Sequence, residues 1–191
     1  MYQPLNVLVA QQDLGDVDLI LKALPKTGPL SFKIQYASGA SEALSQLRCG
    51  NFDVVLLDLG PSGSPGLDAL RAIARLAPRM PVVVLTDMND EAAGLAAIRE
   101  GAQDFLVKES MPEKTLARVL RLAVERRQAA ETSKSSERLA RAALDGISEN
   151  IAILDEVGNI LIVNRAWREF AETNGATINA VCEGANYLAV C

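Results

Sequence analysis

The stretch Asn51-Phe52-Asp53-Val54-Val55-Leu56-Leu57-Asp58-Leu59-Gly60-Pro61 organises the chain. Its centre, residues 54–57, is an unbroken apolar run, typical of a strand whose sheet is covered on both faces. The run ends on the carboxylate of Asp58, and a loop rich in Gly, Pro and Ser follows. Ligands of open α/β sheets bind beyond the carboxyl ends of the strands. Asp58 is therefore a candidate nucleophile or metal ligand, and its alternative role is a simple turn cap.

Two later apolar runs also end on polar side chains. Residues 81–86 end on the hydroxyl of Thr86, and residues 104–108 end on the ammonium of Lys108. A carboxylate, a hydroxyl and a cation at three strand ends suit an aspartyl phosphate, because the acid attacks phosphorus while the other two groups bind phosphoryl oxygens. Taken singly, Thr86 is as consistent with a backbone hydrogen bond and Lys108 with a solvated surface position.

Strand and helix patterns alternate five times between residue 5 and residue 127. This alternation predicts an α/β fold, a doubly wound parallel sheet with helices on both faces. The flavodoxin-like strand order 2-1-3-4-5 places the first and third strands side by side. Gln11, Gln12 and Asp13 follow the first strand, so this order places them next to Asp58.

The segments "VVLLDLG", "PVVVLTD" and "EGAQDFLVK" resemble the third, fourth and fifth strands of the receiver domain of two-component response regulators. The resemblance covers about two thirds of the chain. It implies a non-enzymatic phosphorelay protein that takes a phosphoryl group from a histidine kinase or phosphotransfer protein. By the same resemblance, Asp58 is the phosphoacceptor, Thr86 the switch hydroxyl, Lys108 the phosphate-binding lysine and Phe105 the switch aromatic residue.

The sequence departs from the receiver pattern at the metal pocket. The family has an acidic pair after the first strand, and this chain has Gln11 and Gln12 there. Mg²⁺ usually needs one or two carboxylates, so we expect weak or absent binding, through Asp58 and, less firmly, Asp13 and Gln12. Counting Asp58 and Lys108 alone makes the pocket neutral. Three alternatives stay open: Asp13 replaces the missing acid, the domain is an unphosphorylated interaction module, or the pocket holds another ligand.

The residue after Lys108 is a second departure, because Glu109 stands where the family has a proline after a cis peptide bond. A cis bond before a residue other than proline costs about 2.5–4 kcal/mol. Either the fold keeps that bond or the lysine is aimed differently.

Composition narrows the function further. The formal net charge of −5 gives no basic footprint for nucleic acid, and no apolar run is long enough to span a membrane. The chain contains no histidine, which excludes a phosphoaccepting histidine or a Ser-His-Asp triad within it. Three widely spaced cysteines predict free thiols and a cytoplasmic protein.

The remaining residues predict a second module. We expect a receiver-like domain over 1–127, a helical linker over 128–147 with a boundary at the polar residues 131–136, and a truncated PAS-like α+β segment over 148–191. Residues 151–154 and 160–163 flank a turn and predict a hairpin, and Asn164 can cap the next helix. The stretch "GISENIAILDEVGNILIVNRAWREFAE" resembles the start of a PAS domain. Half a PAS sheet would leave an edge uncovered, so we expect this segment to pair with a second copy in a homodimer or to pack on the linker helix.

Overall fold

Five apolar segments pair as parallel strands in one sheet. The computed structural model describes residues 3–11, 17–25, 31–60, 64–87, 90–108, 112, 114–176 and 181–190. The strand order is β2-β1-β3-β4-β5, which confirms the predicted flavodoxin-like topology. The strands are β1 Leu5–Ala10, β2 Phe32–Ala37, β3 Val54–Asp58, β4 Val82–Thr86 and β5 Asp104–Val107.

Helices cover both faces of this sheet, because side chains alternate along each strand. The helices are α1 Val17–Ala23, α2 Ala40–Cys49, α3 Ser64–Leu76, α4 Glu91–Arg99 and α5 Thr115–Asp145. Leu8, Val55 and Leu57 belong to a core cluster with α2, α3 and α4, whereas Val7 and Leu56 belong to a cluster with α1 and α5.

Helix α5 runs through most of the predicted linker. It begins at Thr115, whose backbone N–H donates to the carbonyl of Pro112. The helix does not break at the polar residues 131–136, since α5 is continuous for 31 residues. The segment is polar but holds no Gly or Pro, so its composition signals exposure to solvent, not the end of a helix.

The chain divides into two units, residues 1–129 and 130–191, and the division falls within α5. The second unit contains the antiparallel hairpin of β6 Ala152–Leu154 and β7 Ile160–Val163, then α6 Arg165–Thr173 and α7 Tyr187–Val190. The hairpin was predicted, and so was the cap of α6, where the side chain of Asn164 accepts a hydrogen bond from Trp167 N. Among the described residues, no helix combines the length and apolar character needed to cross a membrane.

Candidate functional site

The carboxyl ends of β3, β4 and β5 bring an acid and a cation together. The register pairs Asp58 with Leu85 and Thr86 with Val107, so the residues that follow these strands lie at one edge of the sheet. Lys108 Nζ lies 2.9 Å from Asp58 Oδ2. The two side chains are only 12% and 6% exposed, respectively. A buried pair of this kind is held in one geometry, unlike an ion pair on the open surface.

The second oxygen of Asp58 is held by the turn after β3. Gly60 N donates to Asp58 Oδ1 at 3.0 Å, and Gly60 has a φ of 71°, a backbone region that favours glycine. Gly66 allows a close approach of the backbone, because a Cβ there would lie 2.3 Å from Leu59 Cα. Helix α3 therefore begins in direct contact with the end of β3, and both oxygens of Asp58 have a donor.

Asp87 is a third charged member of the site, which sequence reasoning missed. Lys108 Nζ lies 3.1 Å from Asp87 Oδ1, and the Asp87 side chain is 35% exposed. Two carboxylates of the described residues thus share one ammonium, and these three groups carry a net charge of −1, not the neutral value obtained from Asp58 and Lys108 alone. The available signal was its position: Asp87 directly follows Thr86 at a strand end.

Thr86 and Phe105 make their described contacts with neighbouring parts of the fold and not with the ion pair. The hydroxyl of Thr86 is buried and donates to the carbonyl of Leu106 on β5 at 3.5 Å, a long hydrogen bond. The ring of Phe105 is partly buried and packs on α4, where a Cβ on Gly94 would lie 2.4 Å from ring atom Cδ2. Both residues therefore point into the fold at the β4–β5 edge.

The metal pocket is only partly within the described residues. Gln11 is buried just beyond β1, and its backbone N–H donates to Ala37 O. Gln12, Asp13 and Glu109 lie outside the described residues, as does the bond between Lys108 and Glu109. Within the described ranges, no three carboxylate, thiolate or imidazole side chains converge on a point where a metal could bind. The described residues alone do not fit a Mg²⁺ site, because Lys108 already pairs with both nearby carboxylates.

Comparison with known proteins identifies the class. Residues 7–120 match the family described as "Response regulator receiver domain", and this is more than half of the 191 residues. The chain belongs to the response regulator receiver domain family. Members of this family act in two-component systems, where histidine kinases or phosphotransfer proteins phosphorylate them, typically with Mg²⁺ in an acidic pocket.

Two curated relatives illustrate the match. The C4-dicarboxylate transport transcriptional regulatory protein DctD of Rhizobium meliloti (strain 1021) is 32% identical over 127 residues, covering 66% of this chain and 27% of DctD. The transcriptional regulatory protein ZraR of Escherichia coli (strain K12) is 28% identical, covering 54% of this chain and 23% of ZraR. This chain therefore spans about a quarter of the length of these relatives.

A solved structure supports the same fold. The N-terminal signal receiver domain of a two-component response regulator from Bacteroides fragilis superposes with a TM-score of 0.57 and 28% identity. The match covers 64% of this chain and 98% of that one. The match therefore spans about two thirds of this chain and nearly all of that receiver domain.

Proposed function

We propose that this protein accepts a phosphoryl group on Asp58 from a histidine kinase or a phosphotransfer protein. The observation that carries the proposal is the buried contact of 2.9 Å between Lys108 Nζ and Asp58 Oδ2 at the strand ends. It supports phosphoryl chemistry because the ammonium already stands where negative charge would develop on the transferred group. The donor imidazole must lie outside these 191 residues, since they contain no histidine.

In the proposed step, a carboxylate oxygen of Asp58 attacks the phosphorus of a phosphohistidine. A P–O bond forms, the P–N bond breaks, and the imidazole leaves with the electron pair and takes a proton from solvent. The product is an acyl phosphate on Asp58. Lys108 stays beside it and neutralises one phosphoryl oxygen, while the Thr86 hydroxyl exchanges its long bond to Leu106 O for another phosphoryl oxygen. Phe105 then follows Thr86 as the switch residue.

We propose a weak dependence on Mg²⁺. Replacing two carboxylates by Gln11 and Gln12 removes two negative charges that would attract a hard cation. Asp13 is the remaining acid after β1 and the proposed substitute ligand, with Asp58 and the carbonyl oxygen of Gln12. Asp87 supports the proposal in a different way, because it keeps the local charge negative when Lys108 pairs with Asp58.

A second candidate function is an interaction module that is never phosphorylated. The specific observation in its favour is that two carboxylates hold Lys108 at 2.9 and 3.1 Å. Such an ion triad, in a chain that has glutamines where the family has acids, would resist an incoming phosphoryl group. In this case the partner would recognise the face formed by α4, β5 and α5 in a single state.

The output is proposed to pass through the residues after the receiver. In this proposal 1–127 is the receiver, 128–147 a helical linker and 148–191 the first part of a PAS-like module. The hairpin of β6 and β7 followed by a capped helix α6 supports the PAS-like assignment. Apolar side chains that remain exposed in this segment, including Leu161 and Phe170, support pairing with a second copy.

Intact mass spectrometry separates the two candidates. The full chain is incubated with acetyl phosphate and, separately, with a phosphorylated histidine phosphotransfer protein, each with and without Mg²⁺. We expect one added phosphoryl group, lost in Asp58→Asn and retained in Asp68→Asn, which removes an exposed acid of α3. Asp87→Asn should accept the group faster, since Lys108 is then released from its second partner. No adduct with either donor would overturn phosphorylation and leave the interaction module.

A further inference from the structure

A cavity of about 370 Å³ opens between the end of α1 and one side of α5. We call it the α1–α5 pocket. Its size lies in the range of small-molecule sites. Helix α5 contributes residues spaced at three and four along three turns, so they form one continuous wall. The lining residues are Ala23, Pro25, Lys114, Ala117, Arg118, Arg121, Leu122 and Glu125.

The pocket combines an apolar floor with an exposed apolar wall. Ala23 is buried, and Leu122 is 38% exposed although it is a large apolar side chain. Leaving such a side chain in water costs free energy that a bound apolar group would recover. The floor therefore suits the hydrocarbon or aromatic part of a ligand.

The polar groups of the pocket are mainly cations. The lining contains three cations and one acid, namely Lys114, Arg118, Arg121 and Glu125. Their charges sum to +2, in a chain whose net charge is −5. An excess of positive charge around an apolar cavity favours ligands that carry negative charge. The pocket therefore selects by charge as well as by shape.

Arg121 has hydrogen-bond donors that the described residues leave unused. Its Nε and Nη2 atoms are buried, and within the described part of the chain they have no hydrogen-bond partner. The guanidinium carbon lies 5.8 Å from the centre of the Phe32 ring, which holds the group by a cation–π contact. Buried guanidinium N–H groups without an acceptor are costly, and a carboxylate or phosphate would satisfy two of them together.

We propose that the α1–α5 pocket binds a small amphipathic anion, an organic carboxylate or phosphate monoester with an apolar body. The apolar part of the ligand lies against Ala117 and Leu122. Its acidic group accepts hydrogen bonds from Arg121 and forms an ion pair with Arg118. This site is separate from the ion triad of Asp58, Asp87 and Lys108. It does not depend on whether Asp58 is phosphorylated.

The test uses the full chain labelled with ¹⁵N and a matched pair of probes, 1-naphthoate and the neutral 1-naphthalenemethanol. We expect naphthoate to shift the amide signals of 114–125 with saturation, and the neutral probe to bind about tenfold more weakly, as for one charge-assisted hydrogen bond lost. Arg121→Gln and Arg118→Gln should weaken naphthoate binding. Arg126→Gln, an exposed change on the same helix outside the pocket, should not.

Arg118→Gln keeps the test decisive if Arg121→Gln disturbs the fold, because Arg118 is exposed. Equal binding of the two probes would overturn the anion requirement. Saturating shifts located only outside 114–125, equal losses in Arg118→Gln and Arg126→Gln, or no saturation at all would each overturn the site.

Discussion

Different forces stabilise the interior of each of the two units of the chain. In the receiver unit, two large aliphatic clusters lie on the two faces of the sheet. In the described part of residues 130–191, the buried apolar cluster is much smaller and consists of Ile160, Val163 and Cys182. Apolar burial stabilises a protein roughly in proportion to area. The small unit therefore needs another source of order, and polar side chains supply it.

Asn164 is the centre of that polar order. It is 1% exposed, and its side-chain oxygen accepts from the backbone N–H groups of Ile151 and Trp167. Its side-chain nitrogen lies within hydrogen-bond distance of three carbonyls, those of Leu144, Ile147 and Glu149. One side chain thus ties the end of α5 to the start of the hairpin and caps α6. The segment between α5 and the hairpin has no regular secondary structure. Its backbone groups therefore need hydrogen-bond partners from side chains, and Asn164 provides them.

Charged pairs reinforce the same junction. Glu183 Oε1 lies 2.9 Å from Arg141 Nη2 and 2.7 Å from Arg168 Nη2, and Asp145 Oδ1 accepts from Arg165 N at 2.7 Å. These groups are partly exposed, so each pair contributes less than a buried contact would. The comparison shows that buried apolar side chains stabilise the receiver unit, whereas hydrogen bonds and ion pairs stabilise the second unit. The following changes test this difference.

The largest expected effect is in the receiver core. Leu56→Ala removes a fully buried side chain from the central strand and should cost about 3 kcal/mol of unfolding free energy through lost burial and a cavity. Protection of the β3 and β4 amides against hydrogen exchange measures it. The control Leu139→Ala, at a position 73% exposed, should change little. Equal losses in the two variants would contradict the core assignment.

Asn164→Ala should cost about 2 kcal/mol, because it removes a helix cap and leaves buried backbone groups without partners. Trp167 is the only tryptophan of the chain, so urea unfolding followed by its fluorescence reports on the second unit alone. Asn174→Ala is the matched control, since that side chain is exposed and its described hydrogen bond is to Phe170 O within the same helix turn. If the two variants unfold at the same urea concentration, polar bonding does not hold this unit.

Gly94→Ala tests the packing of the proposed switch residue. The added methyl group meets the Phe105 ring, and we expect a loss of about 1 kcal/mol from overpacking. In a Phe105→Leu background the sign should reverse, because alanine is the better helix former by about 1 kcal/mol. Urea unfolding of all four proteins, followed by the receiver amides, gives the cycle. Additive effects would show that the ring does not depend on Gly94.

The smallest expected effect is the change in stability of the second unit with pH. Partial burial acts to raise the pKa of Glu183, but hydrogen bonds from its own backbone N–H, from Arg168 and from Val163 N outweigh it and hold the pKa below its ordinary value of 4.5. Because the pKa of Glu183 is lower in the folded than in the unfolded protein, its carboxylate stabilises the fold above pH 4.5. This stabilisation is lost as the pH falls through the pKa of the folded state.

Acid titration of Trp167 fluorescence measures this loss. The wild-type second unit should weaken steadily below about pH 4.5, whereas Glu183→Gln should start weaker at neutral pH and show a flatter decline. Glu169→Gln, which removes an exposed partner of Arg165 at 3.6 Å, is the control. An unchanged acid profile in Glu183→Gln would rule out this carboxylate as the source.

The fold and part of the site could be predicted because their signals are local in sequence. Apolar runs that end on Asp58, Thr86 and Lys108 predict both the strands and the edge at which they end. The hairpin and the Asn164 cap follow from turn residues next to apolar runs in the same way. Parallel strands joined by helices then leave few arrangements, so strand order follows from the alternation of elements.

The sequence by itself determined which chemical groups stand at the strand ends. It also determined that two glutamines stand where the family has its acidic pair. Only the tertiary structure decided that Asp87 shares Lys108 with Asp58, that α5 continues through the polar residues 131–136, and that Arg121 has buried donors beside a cavity. The reason is physical: ion pairs, cavities and unsatisfied donors depend on distances of a few ångströms between side chains. Residues far apart in sequence set those distances only when the core is packed.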